Sequence, residues 1–153
     1  MKYKNTLLAV ADMERSKRFY REVLGLRVVA DFGANVTLSG GLALQTLESW
    51  RDFIGKEEIC FFNNAAEVYF EEDDFDAFAE RLAAFGVNYV HPVLEHRWGQ
   101  RAVRFYDPDG HIVEVGENMA AVCGRFAAQG LSVQQIALRM DVPEGYVKRM
   151  IKK

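Results

Sequence analysis

Glu114 sits between Val113 and Val115 in the run His111-Ile-Val-Glu-Val115, a β-branched stretch that reads as a strand built for burial. A carboxylate in that setting has to be paired, protonated or bound to a cation, because desolvating it alone is costly. A second group of chemical side chains lies just upstream. The segment HPVLEHRWGQR, residues 91–101, brings together His91, His96, Arg97, Trp98 and Arg101. It reads as a connection between two strands whose length and chemistry exceed what a connection needs, and such loops favour binding residues. Each of these residues also has an ordinary reading. Trp98 can plug a sheet edge, Arg97 can be a solvated charge, and His96 can be a surface histidine.

Other chemistries find little support. Ser16, Ser39, Ser49 and Ser132 lack a G-x-S-x-G context, neither cysteine neighbours a histidine, and no glycine-rich phosphate loop follows a strand. The two cysteines, Cys60 and Cys123, have no metal-type spacing and are expected as reduced core thiols in a cytoplasmic protein. No apolar run approaches the ~20 residues needed to cross a bilayer. The opening TLLAVA is stopped by Asp12, Glu14 and Arg15, so it is expected to be a first strand rather than a leader.

The elements that must position these residues come as two copies of one pattern. In the first, KYKNTLLAV alternates as a strand, Asp12 caps the helix MERSKRFYREVL and Gly25 ends it. LRVVADF, NVTLS and LALQTL follow as strands, the last two joined by Gly40-Gly41. In the second, the strand AEVYFEE precedes the helix DDFDAFAERLAAF, stopped by Gly86. VNYVHPV, QRAVRFY and HIVEVGE complete it, the last two joined by the turn Asp107-Pro-Asp-Gly110. The predicted fold class is α+β, with two βαβββ modules over 1–48 and 65–117 and a folded connection over 49–64. Trp50 begins that connection, as a pocket wall or as packing.

VADMERSKRFYREVLGL, followed by FYDPDGHIVEV in the second module, resembles the vicinal oxygen chelate superfamily of glyoxalase I, extradiol dioxygenases, and fosfomycin- and bleomycin-resistance proteins. The resemblance covers roughly residues 3–117. It implies two curled half-barrels of strands with a small-molecule site in the concavity, and a homodimer. In metal-dependent members a divalent ion is held from the first and last strands of the modules. Aligning the modules puts Asn5 opposite Glu67 and Gln45 opposite Glu114, so the implied metal positions are Asn5, Gln45, Glu67 and Glu114.

None of the four is histidine. Two carboxylates and two amides make an all-oxygen set suited to a hard ion such as Mg²⁺, Mn²⁺ or Ca²⁺. The alternative is a degenerate set that binds no metal, with Glu114 hydrogen-bonded to Gln45 or Asn5 or paired with an arginine such as Arg104. The resemblance therefore leaves two readings. One is a metal-free binder of the bleomycin-resistance kind, its ligand met by Trp50, Tyr69, His96, Trp98 and Arg104. The other is a metal-dependent lyase, isomerase or dioxygenase in which Glu114 is catalytic.

The net charge of −3 hides an asymmetry. Residues 118–153 carry six Lys/Arg against Asp141 and Glu144, or +4, which leaves −7 on residues 1–117. This tail reads as three helices, with a capping box at Ser132 and Gln135 and Pro143 starting the last. LSVQQIALRMDVPEGYVKRMI resembles a helix-turn-helix unit, with Asp141 where glycine is usual and Lys148, Arg149, Lys152 and Lys153 on or near an exposed recognition helix. A ligand-sensing DNA-binding regulator is thus a third reading. The expected outcome is instead a helical extension that packs on a module or partner chain, burying Val147, Met150 and Ile151.

Overall fold

A computed structural model describes residues 1–152. The chain divides into two compact units: residues 1–67 with 106–112, and residues 68–105 with 113–153.

In the first unit Asp12 accepts a hydrogen bond from the Arg15 amide, which caps α1 (Met13–Leu24), and Gly25 ends it in the left-handed region. The strands β1 (Thr6–Val10), β2 (Val28–Asp31), β3 (Asn35–Leu38) and β4 (Leu42–Thr46) form a sheet in the order β1-β4-β3-β2. β1 runs parallel to β4, with Ala9 opposite Gln45. The Gly40-Gly41 link is a single 3-10 turn with both glycines at positive φ. Val10, Tyr20, Val36, Leu38, Leu42, Ala43 and Leu44 fill the core. The connection after β4 is folded, as expected, and opens as a helix, α2 (Leu47–Ile54), which contains Trp50.

The turn Asp107–Gly110 belongs to this unit, and its carboxylates lock α1. Asp109 accepts from the Ala11 amide (3.2 Å), Arg15 Nη2 (2.8 Å) and Ser16 Oγ (3.2 Å). Asp107 accepts from Tyr20 Oη (2.8 Å), from the amides of Asp109 and His111, and from His111 Nδ1 (2.9 Å). Burial alone would raise the Asp107 pKa, but these donors outweigh it and hold the carboxyl below its ordinary range. Tyr20 is pushed well up by its burial and by the Asp107 charge. The motif that ends the second module's hairpin thus works as a clamp on the first helix.

In the second unit β5 (Glu67–Glu72), β6 (Asn88–Glu95), β7 (Arg101–Tyr106) and β8 (Ile112–Glu117) form a sheet in the order β5-β8-β7-β6. The helix α3 (Phe75–Phe85) is capped by Asp74 and ended by Gly86. Phe75, Phe78 and Leu82 are buried, as are Val103, Phe105, Val113 and Val115.

Two expectations need correcting here. β6 runs on to Glu95, two residues past VNYVHPV, so the connection to β7 is only residues 96–100 rather than 91–101. Proline is tolerated because β6 is an edge strand. Cys123 is a buried thiol, but Cys60 is exposed.

Three further helices follow: α4 (Met119–Ala128), α5 (Val133–Met140) and α6 (Glu144–Ile151). They share a core of Val122, Cys123, Phe126, Ile136, Ala137, Met140 and Val147. Met150 packs against this core, whereas Ile151 is exposed. Among the described residues, no helix is long and apolar enough to cross a membrane.

Candidate functional site

Strand parity decides what faces what in the second unit. Val113, Val115 and Glu117 alternate with Ile112, Glu114 and Gly116, so Glu114 lies opposite the apolar face of β8. Its side chain is 7% exposed, and Arg104 Nη2 of β7 donates to its Oε2 in a close ion pair. Arg104 Nη1 lies 3.2 Å from His91 Nε2. His91 Nδ1 is 2.8 Å from the Pro92 carbonyl, which can only accept. The proton is therefore on Nδ1, and Nε2 presents its lone pair to the guanidinium. Arg104 is held between a carboxylate and an imidazole nitrogen.

The short connection adds the next layer. His96 stacks on Trp98, with ring centroids 4.3 Å apart and planes within 11°. Its pKa is lowered, first by burial and then by the charge of Arg104, which favours the neutral ring close to that arginine. Trp98 Nε1 donates to Gln100 Oε1 (3.1 Å), and Gln100 Nε2 donates to Tyr69 Oη (3.0 Å) and the Glu117 carbonyl (2.9 Å). Tyr69 donates to Glu71 (3.2 Å), and its pKa is raised chiefly by burial, with the Glu71 and Glu114 charges adding to the effect. A Cβ at position 116 would lie 2.9 Å from Gln100 Nε2 and 3.0 Å from Tyr69 Oη, so Gly116 leaves the room this network occupies.

Five of the residues expected at a site therefore share one unit and one network or charge field: Tyr69, His96, Trp98, Arg104 and Glu114. His91, Gln100, Glu71 and Gly116 complete it. His91 was legible as part of a chemical segment, whereas Gln100 carried no signal, since an uncharged amide at a strand start looks like any polar connection.

Asn5, Gln45, Trp50 and Glu67 lie in the first unit. Gln45 is 2% exposed and enclosed in an amide–hydroxyl network. Asn35 Nδ2 donates to its Oε1 (2.7 Å), and its Nε2 donates to Ser49 Oγ (2.5 Å), which in turn lies 2.6 Å from Thr46 Oγ1. Asn5 precedes β1 and is exposed, Glu67 opens β5 and is exposed, and Trp50 is half-buried on α2. Among the described residues, no three His, Cys, Asp or Glu side chains are placed together to hold a metal ion.

The C-terminal helices meet the unit at its connection. Arg125 donates to the buried Glu117 (2.9 Å) and to the Gly99 carbonyl (2.5 Å). Arg139 donates to the Arg97 carbonyl (2.6 Å) and to Glu95 (3.0 Å). Asp141 takes the left-handed conformation at the end of α5 (φ 56°), so it supplies the backbone geometry for which glycine is usual. Lys148, Arg149 and Lys152 are exposed, with Lys148 paired to Glu144 and Arg149 over the Tyr146 ring. Lys153 lies outside the described residues.

This repeated strand–helix–three-strand architecture defines a glyoxalase-type protein, and comparison bears that out. The model of the glyoxalase-like domain family matches residues 3–120. The chain belongs to that family and to the vicinal oxygen chelate superfamily. A crystal structure of a protein of unknown function from Agrobacterium tumefaciens str. C58 is 39% identical, with a TM-score of 0.70 over 77% of this chain and 94% of that one. Glutathione transferase FosA of Serratia marcescens is 29% identical over 79% of this chain and 82% of its own length. A probable lactoylglutathione lyase of Vibrio parahaemolyticus is 24% identical over 78% and 93%.

Proposed function

We propose that this protein binds a small molecule without a metal, on the face of the second sheet that carries Tyr69, His91, His96, Trp98, Arg104 and Glu114. The Arg104–Glu114 pair carries this reading. A divalent ion fits poorly there, because the guanidinium already neutralises the carboxylate and would repel a second cation. Arg104 is a quarter exposed and fixed at the right place to meet an anionic or carbonyl-bearing ligand. The His96–Trp98 stack offers a flat apolar surface for the ligand's ring. The ligand class that fits is a planar, partly apolar molecule with one acceptor group. No reaction is needed for such a role, which is that of a sequestering or resistance protein in the cytoplasm.

The family resemblance implies a homodimer, and we propose one. Both sheets end in edge strands with exposed apolar side chains, Val28 and Val29 on β2 and Val90, Val93 and Leu94 on β6, which are surfaces suited to a second copy.

The test is a melting-temperature screen of planar aromatic carboxylic acids, with EDTA or with added Mn²⁺. Stabilisation that survives EDTA and disappears in Trp98→Ala and Arg104→Gln supports the proposal. Stabilisation that needs Mn²⁺ and is lost in Glu114→Gln overturns it.

A second reading is favoured by the two relatives named for glutathione chemistry. In it the same face holds a glutathione adduct, Glu114 acts as a base, and a divalent ion supplies Lewis acidity. Turnover of a glutathione hemithioacetal, or glutathione transfer, by the metal-loaded protein and not by Glu114→Gln would establish it. A DNA-reading role for α5 and α6 draws less support, since α5 exposes Leu138 (85%) where a phosphate-facing surface needs polar groups. Salt-sensitive retention of duplex DNA by the intact chain would revive it.

A further inference from the structure

The connection between β6 and β7 has two sides. One side carries the His96–Trp98 stack and, through Gln100, the link to Tyr69. The other is gripped by the C-terminal helices. Two of its carbonyls, those of Arg97 and Gly99, are taken by guanidinium groups of α5 and α4. Glu95, the last residue of β6, accepts from both Arg139 and Arg125. Phe126 of α4 closes against the same turn, since a Cβ on Gly99 (φ 90°) would lie 2.2 Å from the Phe126 ring. The two arginines themselves lie over that ring, at 5.1 and 5.8 Å from its centre.

Within the connection the backbone makes only His96 N–H to the Gln100 carbonyl (2.8 Å) and Gly99 N–H to the His96 carbonyl (2.8 Å). Gln100 ties the turn to the sheet, but Arg97 and Gly99 have no such tie on that side, and short turns with few internal bonds open at low free energy. The external clasp supplies what the turn lacks.

We propose that α4–α6 is a positioning device for the ligand face, in which Arg125, Phe126 and Arg139 fix the turn 96–100 and through it the His96–Trp98 stack. This rests on the reading that the stack belongs to the ligand site. Arg139 is the most dispensable member for folding, because its side chain is 45% exposed, whereas Arg125 also serves the buried Glu117. Gly99 matters because any side chain there is pushed out by Phe126 and takes the turn with it.

The experiment needs no ligand. In wild-type protein, native-state hydrogen exchange of the His96 and Gly99 amides should show the same opening free energy as the α5 amides. If the turn amides exchange by openings that leave α5 protected, the clasp is not what holds the turn and the proposal fails. Arg139→Ala should then lose the ring-current shift of the His96 protons over Trp98. With Trp50→Phe in the background, Trp98 fluorescence should also become more quenchable by acrylamide. Leu138→Ala, an exposed change on the same helix, should leave both unchanged. Should Arg139→Ala not fold, Gly99→Ala reaches the same turn from the other side and should give the same two losses. An unchanged His96 shift in either folded variant overturns the inference. A failed ligand screen would sink the proposed function and leave these readouts where they are.

Discussion

Matching positions of the two modules bury a polar side chain in different ways. At the end of the first module Gln45 is neutral, and its amide is spent on Asn35 and Ser49. At the end of the second, Glu114 is charged and is answered by Arg104, whose other nitrogen faces His91. The first arrangement is closed, because the buried amide is satisfied by uncharged, half-buried neighbours. The second stays open, since its cation is partly exposed. The comparison teaches that a repeat can keep a buried polar group at one position and change its charge and partners between copies.

The strongest way to break this contrast is to move the charge. Gln45→Glu puts a carboxylate among Asn35 and Ser49, both uncharged, and should cost about 3–4 kcal/mol at neutral pH. Its folded pKa would rise above the unfolded value, so the penalty should fade as pH falls toward about 4.3. Denaturant unfolding at pH 7 and pH 4.5 measures both, and an unchanged midpoint at pH 7 would show that the first module is not closed.

Arg104→Ala attacks the other side. It leaves Glu114 buried with one cation fewer, and about 2–3 kcal/mol should be lost in the same assay, less than for a fully buried pair because the arginine is partly exposed. Glu114→Gln is milder, at about 1 kcal/mol or less in either direction, since a partly exposed arginine can turn to solvent and to the amide carbonyl. If the two substitutions cost the same, the asymmetry between buried acid and reachable base is wrong.

The smallest effect concerns His96. Its folded pKa lies below the ordinary histidine value of about 6.5, so neutral His96 contributes stability above that value, lost as pH falls through the folded pKa. NMR titration should place it below 6.5. Arg104→Gln should move it part of the way back, because burial, the larger cause, remains. A His96 that does not respond to Arg104→Gln would detach it from the ligand face.

Much of this is legible in the sequence. Asp12 and Gly25 bracket the first helix as cap residues should, and the 62-residue offset of Asp12 and Asp74 announces the second copy. Arg104 could be named as a partner for Glu114 because a buried carboxylate demands one within reach of its neighbouring strand. The extent of the chemical connection was harder to read: the segment 91–101 overlaps the strand VNYVHPV, and β6 runs two residues past that strand, to Glu95. The DPDG turn read only as a turn. Its carboxylates serve residues some 90 positions earlier, and no local pattern reports such a distance.

That distance has a kinetic consequence. Asp109 meets Ala11 across 98 residues and Asp107 meets Tyr20 across 87, so the amino-terminal unit is finished by a segment near the end of the family domain. Closing loops of that length is entropically slow and raises the contact order of the whole chain. On the ribosome, the first strands and helix emerge long before their clamp does. A nascent chain stopped before Asp107 leaves Tyr20 without its acceptor, and the first unit can consolidate only once translation has delivered the turn.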